Sequence, residues 1–502
     1  MSQSRILFVD LNNFARYPTL AIGALIAPLR KAGYHVDLLS PLSFGAPTTE
    51  RESQENWQEH LKRRIYFSTH PIMLKLHDHL RRLYASYSAS PQPKTIGAVN
   101  QYFEKRSVDI ILLSAYLSHY PSVKIIAKLA EQAGIPVLLG GPAFSSQAVI
   151  DEWIHLQGIT AIFAGEADLV IADLVKAILE KQSLETFSGL FVRDSVNSTT
   201  IQPIAKQSCQ VAAPLQAMDQ LMIPDFSDFP WDYYQHKIIP IMTGRGCNWG
   251  VCTFCSDVIT ANGRSFRSRP IDAVLTEITQ QSRCYNSQDF IFLDIKLNSN
   301  LEMWRALIAN FQTIVPNGHW IATVHVNAQG ENGLSFKELQ AAKRSGLIRM
   351  SFGLETGSKQ LNRRMGKGTT MEKNSQFIQD AYRAGISLRA SMMLGYPNES
   401  SDDIWQSVAF LGQHQQYFDR IRLSRFKVIP NTRFDKLYRK RPSRFSGIKN
   451  FHWDHRYARA AYEYSEASDK EYRKAKRALL DIIHQINQEP LRDDAVQFDG
   501  LM

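Results

Sequence analysis

The stretch 244-GRGCNWGVCTFCSD-257 contains three of the five cysteines of this 502-residue chain. Cys247, Cys252 and Cys255 follow the spacing C-x4-C-x2-C, and a glycine stands on each side of the first cysteine. Glycine allows the backbone conformations that a loop needs in order to wrap closely around a bound group. The stretch therefore predicts a metal-binding loop with these three cysteines as ligands.

Three close thiols suit a zinc site, a disulfide or an iron–sulfur cluster. Structural zinc sites use four ligands, often in paired C-x2-C units, and no second pair follows here. A disulfide framework is not expected from five cysteines in a long chain of cytosolic type. Thiolates hold iron–sulfur clusters, and three of them leave one iron open to a cosubstrate. The cluster is favoured, and Cys209 and Cys284 are expected to be inert.

From residue 236 the sequence alternates between strand-like and helix-like runs. The cysteine loop directly follows the first of six strand-like runs, and functional residues of β/α barrels follow strand ends. Six strands are too few for a closed eight-fold barrel. We therefore predict an open, partial (β/α)6 barrel over 236–430, with the strands KIIPIMT, DFIFLD, HWIATVHV, IRMSFGLE, ISLRASMMLGYP and RIRLSRFKVIP.

Residues 1–185 also alternate between strands and helices, and the strands are apolar on both faces. This pattern predicts an α/β fold with a doubly wound, Rossmann-like parallel sheet. Such sheets bind ligands at the carboxyl ends of their strands. A helical insertion at about 50–95 either caps a site or decorates the surface. The predicted strands are RILFVDL, HVDLLS, VDIILLSAYLS, IPVLLGGPAFS and ITAIFAGEA.

Two further segments complete the predicted organisation. Residues 186–235 are predicted as a hairpin and a proline-containing linker, and residues 431–502 as a small, mainly helical, basic region. Of the net charge of +10, residues 431–480 contribute 14 Lys/Arg and 6 Asp/Glu. A solvated basic helix explains this charge, because no known nucleic-acid motif accompanies it. The aromatic stretch 451–464 either forms a substrate lid or closes the open barrel.

The sequence indicates neither export nor a membrane span. The N-terminus, MSQSRILFVDL, lacks the features of a signal peptide. The apolar runs are too short to cross a bilayer. A cytoplasmic location is therefore expected.

The cysteine loop resembles that of radical S-adenosylmethionine (SAM) enzymes, whose usual form is C-x3-C-x2-C with an aromatic before the last cysteine. Phe254 occupies that position, and this chain has one extra residue between the first two cysteines. The N-terminal half, with LLGGPAFSS and AGEAD, resembles the cobalamin (B12)-binding domains of class B methyltransferase-like members. The likeness covers about residues 4–435 and includes FGLETGSKQLNRRMGKGTT (352–370), MMLGYPNESSDD (392–403) and KVIPNTRF (427–434).

The resemblance implies a [4Fe-4S] cluster on the three cysteines, with SAM on the fourth iron. Glu355 ends a strand and, as a buried carboxylate, is expected to have a hydrogen-bond partner. Lys296 is either a site residue or a solvated charge. An inward Arg389 would hold a carboxylate or would pair with a neighbouring acid. The SAM-binding residues implied are Phe254, Asp294, Glu355, Arg389, Ser391 and Gly395.

The same resemblance implies that cobalamin lies across the strand ends of the N-terminal sheet. The family's D-x-H-x-x-G motif is absent, and neither His35 nor His119 replaces it. Cobalamin is therefore expected without a histidine ligand, its lower face near Asn13, Phe14, Arg16 or Tyr116. The contacts implied are Leu11, Asn12, Asn13, Ser114, Tyr116, Leu117, Gly140, Gly141, Pro142, Gly165 and Glu166.

The function that follows is methylation of an unactivated carbon in a small molecule or peptide. In the family a 5′-deoxyadenosyl radical and methylcobalamin carry this reaction, and a flavodoxin- or ferredoxin-like protein donates electrons. Rearrangement or cyclisation without methyl transfer is the alternative within this chemistry. An iron–sulfur regulatory or RNA-binding protein is the alternative of another class, although a nucleic-acid partner is not expected. A methylthiotransferase is disfavoured because residues 1–208 contain no cysteine.

Overall fold

The structure is a computed structural model. It describes residues 4–12, 16–46, 53–69, 93–193, 211–259, 265–445, 447–464 and 469–501. Within these ranges the chain builds two six-stranded sheets and two short two-stranded pairs.

The N-terminal sheet has the spatial order β2-β1-β3-β4-β5-β6. Its first five strands are parallel, and the last one, β6, is antiparallel to β5. The chain changes direction across the sheet between β1 and β3, which is where ligands bind in open α/β sheets. The strands are β1 (Arg5–Asp10), β2 (His35–Leu39), β3 (Ile110–Ser114), β4 (Val137–Gly140), β5 (Ala161–Phe163) and β6 (Leu190–Val192).

Alternate side chains of this sheet enter two separate cores. Ile6 and Phe8 lie in one cluster, whereas Leu7 and Val9 lie in the other. Both faces are therefore covered by helices, as the two-sided apolar strands predict. The helix at 147–154 was not among the predicted elements. The helices are α1 (Leu20–Lys31), α2 (Trp57–Tyr66), α3 (Pro93–Lys105), α4 (Tyr120–Gln132), α5 (Gln147–Ile154) and α6 (Ile171–Leu179).

The linker prediction needs a correction in its first part. The first arm of the expected hairpin is β6, which extends the N-terminal sheet instead of forming a separate unit. The expected second arm, TTIQPI, lies outside the described residues, as do 70–92 of the insertion and Cys209.

The second sheet is the predicted open barrel, with the spatial order β7-β10-β11-β12-β13-β14 and parallel pairing throughout. A short antiparallel pair, β8 with β9, brackets the cysteine loop. The strands are β7 (Ile238–Ile241), β8 (Gly244–Arg245), β9 (Arg267–Ser268), β10 (Asp289–Phe292), β11 (His319–Val324), β12 (Leu347–Glu355), β13 (Ser387–Leu394) and β14 (Arg420–Arg425).

Six helices lie between these strands, two of them between β12 and β13. The apolar faces of five helices share one core with the outward side chains of the sheet, whereas Leu361 and Met365 of α10 belong to a separate cluster. They are α7 (Ile271–Tyr285), α8 (Leu301–Ile314), α9 (Phe336–Arg344), α10 (Lys359–Met365), α11 (Met371–Arg383) and α12 (Ser401–His414).

The C-terminal region combines two helices with a hairpin. α13 (Arg433–Lys440) is followed by β15 (Ile448–Asp454), β16 (Arg459–Tyr464) and α14 (Lys470–Asn487). The aromatic stretch 451–464 is thus β structure rather than helix. It packs on the barrel side, where Ala460 N donates to Val428 O at 2.9 Å, and it reaches the N-terminal domain, where Trp153 Nε1 donates to Arg456 O at 3.1 Å.

The edge strand β14 is closed by a side chain of α14. Asn487 Oδ1 accepts from Ile421 N at 2.7 Å, and Asn487 Nδ2 donates to Ile421 O at 2.9 Å. An uncovered strand edge invites pairing with other chains. The Asn487 side chain therefore satisfies the backbone N–H and C=O of Ile421 on that edge.

A segment at 493–501 forms the floor of the barrel. Phe498 and Leu501 pack against inward side chains of the first four barrel strands, among them Ile291 and Ile321. Arg349 donates to Phe498 O at 2.7 Å. The barrel is therefore closed at its amino-terminal end and opens at the end that carries the cysteine loop.

Among the described residues, no helix combines the length and the apolar character needed to cross a bilayer.

Replacing Phe498 by alanine is expected to lower the melting temperature of the protein clearly. The side chain is fully buried, and removing a buried phenylalanine costs about 3–5 kcal/mol. Val496→Ala in the same segment is the matched control, because Val496 is 53% exposed. Equal melting temperatures for the two variants would contradict the assignment of 493–501 as the barrel floor.

Candidate functional site

The cysteine loop lies at the carboxyl end of β7, at the mouth of the barrel. Its first turn depends on Gly246, which has a φ of +86°. A Cβ at this position would lie 1.9 Å from Ser265 O. Only glycine therefore lets the two arms of the loop, β8 and β9, approach closely enough to pair.

The segment after α10 anchors the other end of the loop. Thr253 N donates to Met365 O at 2.9 Å, and Trp249 Nε1 donates to Gly366 O at 2.9 Å. A Cβ on Gly368 would lie 2.1 Å from the ring of Trp249. The cysteine loop and the 365–368 segment therefore pack closely against each other.

Cys247, Cys252 and Cys255 are half-buried free thiols on this one loop. Burial raises the pKa of Cys252, and burial together with Asp257 raises the pKa of Cys255 to about 12. Metal ligands must be thiolates, so loading a metal group here releases protons. Three soft sulfur ligands in a partly enclosed loop suit iron or an iron–sulfur cluster.

Glu355 and Lys367 form a buried ion pair beside the loop. Glu355 ends β12 with a φ of +62°, and its Oε1 lies 3.2 Å from Lys367 Nζ. The predicted partner of this carboxylate therefore exists. Burial lowers the pKa of Lys367, but Glu355 and the neighbouring cysteines outweigh that effect and raise it. A permanent positive charge thus stands next to the thiols, 5.9 Å from the ring of Phe254.

Asp294 holds the start of the cysteine loop. Its carboxylate accepts from Thr243 N, Thr243 Oγ1 and Gly244 N at 2.8–3.0 Å. Burial raises the pKa of Asp294 to about 6, although these bonds oppose the shift. The visible role of this residue is to fix the loop, and direct contact with SAM stays a prediction.

Lys296 is not a solvated charge. It is 4% exposed, and its Nζ donates to Asn248 Oδ1 in the cysteine loop at 2.8 Å. Burial lowers its pKa. It therefore places a second amino group near the thiols.

The remaining residues proposed to bind SAM lie on or beside β13. Leu388 and Ala390 enter the core under the helices, so the alternate residues Arg389 and Ser391 lie on the inward face. Gly395 follows the strand with a φ of +84°, and its N donates to Glu399 Oε2 at 2.7 Å. Their contact with SAM is an untested prediction.

A cavity of about 430 Å³ lies between the carboxyl edge of the N-terminal sheet and the barrel. This volume falls within the usual range for cofactor sites. Met242, Arg245 and Leu293 line it from the barrel side. The predicted cobalamin residues that line it are Ser114, Tyr116, Gly140, Gly141, Pro142, Gly165 and Glu166.

Three of the predicted cobalamin contacts lie outside this cavity lining. Leu11 is buried in the core of the N-terminal domain. Asn12 N donates to Asp10 at 2.8 Å, and Leu117 packs against the same core as Leu11. Asn13 lies outside the described residues.

Of the residues predicted to lie against the lower face of cobalamin, some line the cavity and others do not. Tyr116 lines the cavity, whereas Arg16 donates to Gln497 O at 3.3 Å, and Phe14 is not described. His119 Nδ1 accepts from Tyr116 N at 3.1 Å, and burial lowers its pKa to about 4, so its imidazole is neutral. The Nδ1 atom of His119 is thus engaged by the backbone of its own loop. His35 is the first residue of β2 and pairs with Asp37.

Buried ion pairs join the cavity to the cysteine loop. Glu166 lies 3.1 Å from Arg245 and 2.6 Å from Arg267, and Asp168 lies 2.8 Å from Arg245. Glu166 also accepts from Leu215 N at 2.6 Å. Both arginines belong to the short strands that bracket the cysteine loop. Glu166 was predicted as a cobalamin contact, but its carboxylate oxygens are engaged by these partners.

Sequence reasoning missed Arg245, Arg267 and Lys367 as members of the site. Arg245 stands between the two glycines that precede Cys247, and Lys367 stands between two glycines in the segment quoted for its family likeness. A charged residue framed by glycines next to a ligand loop was the available signal. Nothing in the sequence indicated which acids they would meet.

A family model described as the Radical SAM superfamily matches residues 241–411. Residues 241–411 form a radical SAM domain. The match begins at the last residue of β7 and ends in α12. It therefore includes the three cysteines and the four barrel strands β10, β11, β12 and β13. The prediction of a radical SAM barrel, the domain type that uses SAM and a [4Fe-4S] cluster, is confirmed.

Two relatives match longer stretches of the chain than this domain. An uncharacterized methyltransferase of Pyrococcus horikoshii is 24% identical over 325 residues, which is 63% of this chain and 66% of that protein. A putative methylthiotransferase of Methanocaldococcus jannaschii is 26% identical over 234 residues, which is 44% of this chain and 50% of that protein. The matches thus span about half to two thirds of the relatives' lengths.

Two solved structures share the complete architecture. TsrM of Kitasatospora setae, a radical SAM methyltransferase with cobalamin and a [4Fe-4S] cluster bound, is 15% identical, with 96% of this chain and 89% of that chain covered and a TM-score of 0.66. The cobalamin-dependent radical SAM enzyme OxsB is 16% identical, with 95% and 66% covered and a TM-score of 0.66. The predicted combination of a Rossmann-like domain and a radical SAM barrel is confirmed as a fold.

Replacing any of the three loop cysteines by alanine is expected to abolish retention of iron after anaerobic reconstitution. Two thiolates cannot hold a four-iron cluster that normally has three or four protein ligands. Cys284→Ala is the matched control, because this thiol is exposed and distant in sequence. Iron counting and the visible spectrum check this result, and a Cys252→Ala protein that kept about four irons would contradict it.

Glu166→Gln is expected to lower the melting temperature of protein that has never met cobalamin. Removing one partner of a buried ion pair costs about 3–5 kcal/mol, because the other charge stays buried. Glu185→Gln, on an exposed turn, is the control. An unchanged melting temperature combined with weaker cobalamin retention would instead support the predicted contact of Glu166 with cobalamin.

Proposed function

We propose that this protein is a cobalamin-dependent radical SAM methyltransferase that methylates an unactivated carbon of a small molecule or peptide. The observation that carries the proposal is the cavity between the N-terminal strand ends and the barrel. It joins the two parts of the chain that, in the family, hold cobalamin and the cluster with SAM.

The residues around the loop fit a cluster with SAM. Cys247, Cys252 and Cys255 would hold three irons. Lys296 and Lys367 lie near these thiols and, as buried cations, favour the negative charge of thiolates and of a carboxylate. Arg389 and Ser391, on the inner face of β13, would bind the polar end of SAM.

The residues around the cavity fit a large, flat cofactor. Gly141 has a φ of +109°, and a Cβ there would lie 2.7 Å from Ala115 N. The end of β4 therefore presents backbone rather than a side chain to the cavity. Tyr116, which is 43% exposed, would lie against the lower face of cobalamin, with no histidine on cobalt.

When bound, SAM on the cluster supplies a carbon-centred radical, and cobalamin supplies a transferable methyl group. The protein itself then positions SAM, cobalamin and the substrate and excludes water from them. The ion pairs of Arg245 and Arg267 with Glu166 fix the distance between the cavity and the loop. Because the reaction needs no general base at carbon, no catalytic residue is assigned. An external flavodoxin- or ferredoxin-like protein would donate the electrons.

Radical chemistry without methyl transfer is the second candidate. A 26% identical relative, covered over 43% of its length, is named anaerobic magnesium-protoporphyrin IX monomethyl ester cyclase, from Rubrivivax gelatinosus. Product analysis separates the two, since methylation consumes two SAM molecules per product and releases S-adenosylhomocysteine. Cyclisation or rearrangement would release none.

The test is an optical spectrum of anaerobically reconstituted protein that is desalted after exposure to hydroxocobalamin, with iron and cobalt counted. Near-stoichiometric cobalamin beside a four-iron cluster is the expected result. Tyr116→Ala should change the cobalamin spectrum or weaken retention while iron content stays the same. Tyr233→Ala, 60% exposed and outside the cavity lining, is the control. A cluster without retained cobalamin would overturn the methyltransferase proposal.

A further inference from the structure

A second cluster of ligand-type side chains lies away from the cysteine loop, where the insertion meets α14. Glu55 precedes α2, His60 lies in α2 and His484 lies in α14. One carboxylate oxygen and one ring nitrogen from each histidine all lie within 4.8 Å of one another. The cluster therefore joins the two segments that flank the barrel edge.

Each of these three side chains has a buried polar atom without a hydrogen-bond partner among the described residues. Among the residues that the structure describes, Glu55 Oε1, His60 Nδ1 and His484 Nδ1 are buried and have no hydrogen-bond partner. Glu55 is 5% exposed, and its Oε1 lies 3.8 Å from His484 Nδ1. Buried polar atoms are nearly always satisfied in folded proteins. Unsatisfied buried atoms on three side chains whose ligand atoms lie within 4.8 Å of one another indicate a shared ligand.

The opposite atoms of the same side chains are engaged by outer partners. Glu55 Oε2 lies 2.9 Å from Arg63, and Asn487 Nδ2 donates to it at 3.3 Å. His60 Nε2 lies 3.2 Å from Asp481 Oδ1. In metal sites the second nitrogen of a ligating histidine is usually held by a carboxylate, a backbone carbonyl or a water. The outer arrangement thus leaves His60 Nδ1 and Glu55 Oε1 as the inward atoms.

We propose that Glu55, His60 and His484 bind one divalent transition-metal ion of the zinc type, with water in the remaining position. Two imidazoles and one carboxylate are a ligand set that zinc adopts in proteins. A hard ion such as Mg²⁺ prefers oxygen ligands and is not favoured here. This proposal does not depend on the proposed enzyme activity.

Binding requires a small rearrangement. The rings of His60 and His484 are stacked with centroids 4.2 Å apart and an interplanar angle of 19°. A metal bond lies in the plane of each ring, so the two rings turn out of this parallel stack when they share an ion. The ion then links α2 to α14, and α14 holds the edge of the barrel through Asn487.

The cysteine loop competes for zinc, so the test uses full-length protein already loaded with its iron–sulfur cluster. After equilibration with zinc and desalting, we expect about one zinc per chain. X-ray absorption at the zinc edge should show nitrogen and oxygen ligands at about 2.0–2.1 Å and no sulfur at about 2.3 Å. Zinc should also raise the melting temperature, and a chelator should reverse the rise.

His60→Ala, His484→Ala and Glu55→Gln should each weaken zinc binding at least tenfold, while iron content stays unchanged. His155→Ala, an exposed histidine on another surface, is the matched control and should keep the zinc. Absence of zinc from the loaded wild-type protein, sulfur ligation of the zinc, or full zinc content in His60→Ala and His484→Ala would each overturn the proposal. Should a variant fail to fold, the ligand set and melting shift of the wild-type protein decide the question.

Discussion

The buried ion pairs of Glu166 with Arg245 and Arg267 are the constraint that relates the two halves of the molecule. An unpaired charge in the interior costs several kcal/mol, so each of these groups needs its partners in place. The carboxylate comes from the end of the N-terminal sheet, and the guanidinium groups come from both sides of the cysteine loop. The strand ends and the loop therefore cannot shift independently. The cavity between them keeps its shape because its two walls share these charges.

The charged groups around the three loop cysteines include two buried lysines and one buried carboxylate. Lys296 and Lys367 are both buried beside the loop, and Glu355 pairs with Lys367. His325 nearby stays neutral because burial lowers its pKa to about 3. The thiols thus lie close to the ammonium group of Lys367, whose pKa is raised by Glu355 and the cysteines. A nearby positive charge stabilises an anionic ligand set.

The sequence predicts the sheets well because their signal is local. Two-sided apolar strands that alternate with helices define both parallel sheets, and the single cysteine loop identifies the mouth of the barrel. The hairpin at 448–464 was missed, although β16 ends in Tyr-Glu-Tyr, which alternates aromatic and charged residues. The site residues Arg245 and Lys367 were missed because their partners lie 79 and 12 residues away and are brought close only by folding. The position of a strand end can be predicted from local pattern, but the partner of a buried charge cannot.

The barrel floor has a consequence for how the chain is made. Phe498 follows Arg425, the last residue of β14, by 73 residues. Synthesis at about 5–20 residues per second means that all six strands leave the ribosome some seconds before the floor exists. During that interval Ile291, Ile321 and the other inward isoleucines are open to water from below. The nascent protein therefore passes through a state with an uncovered apolar lumen, in which chaperones or premature association compete with completion of the barrel.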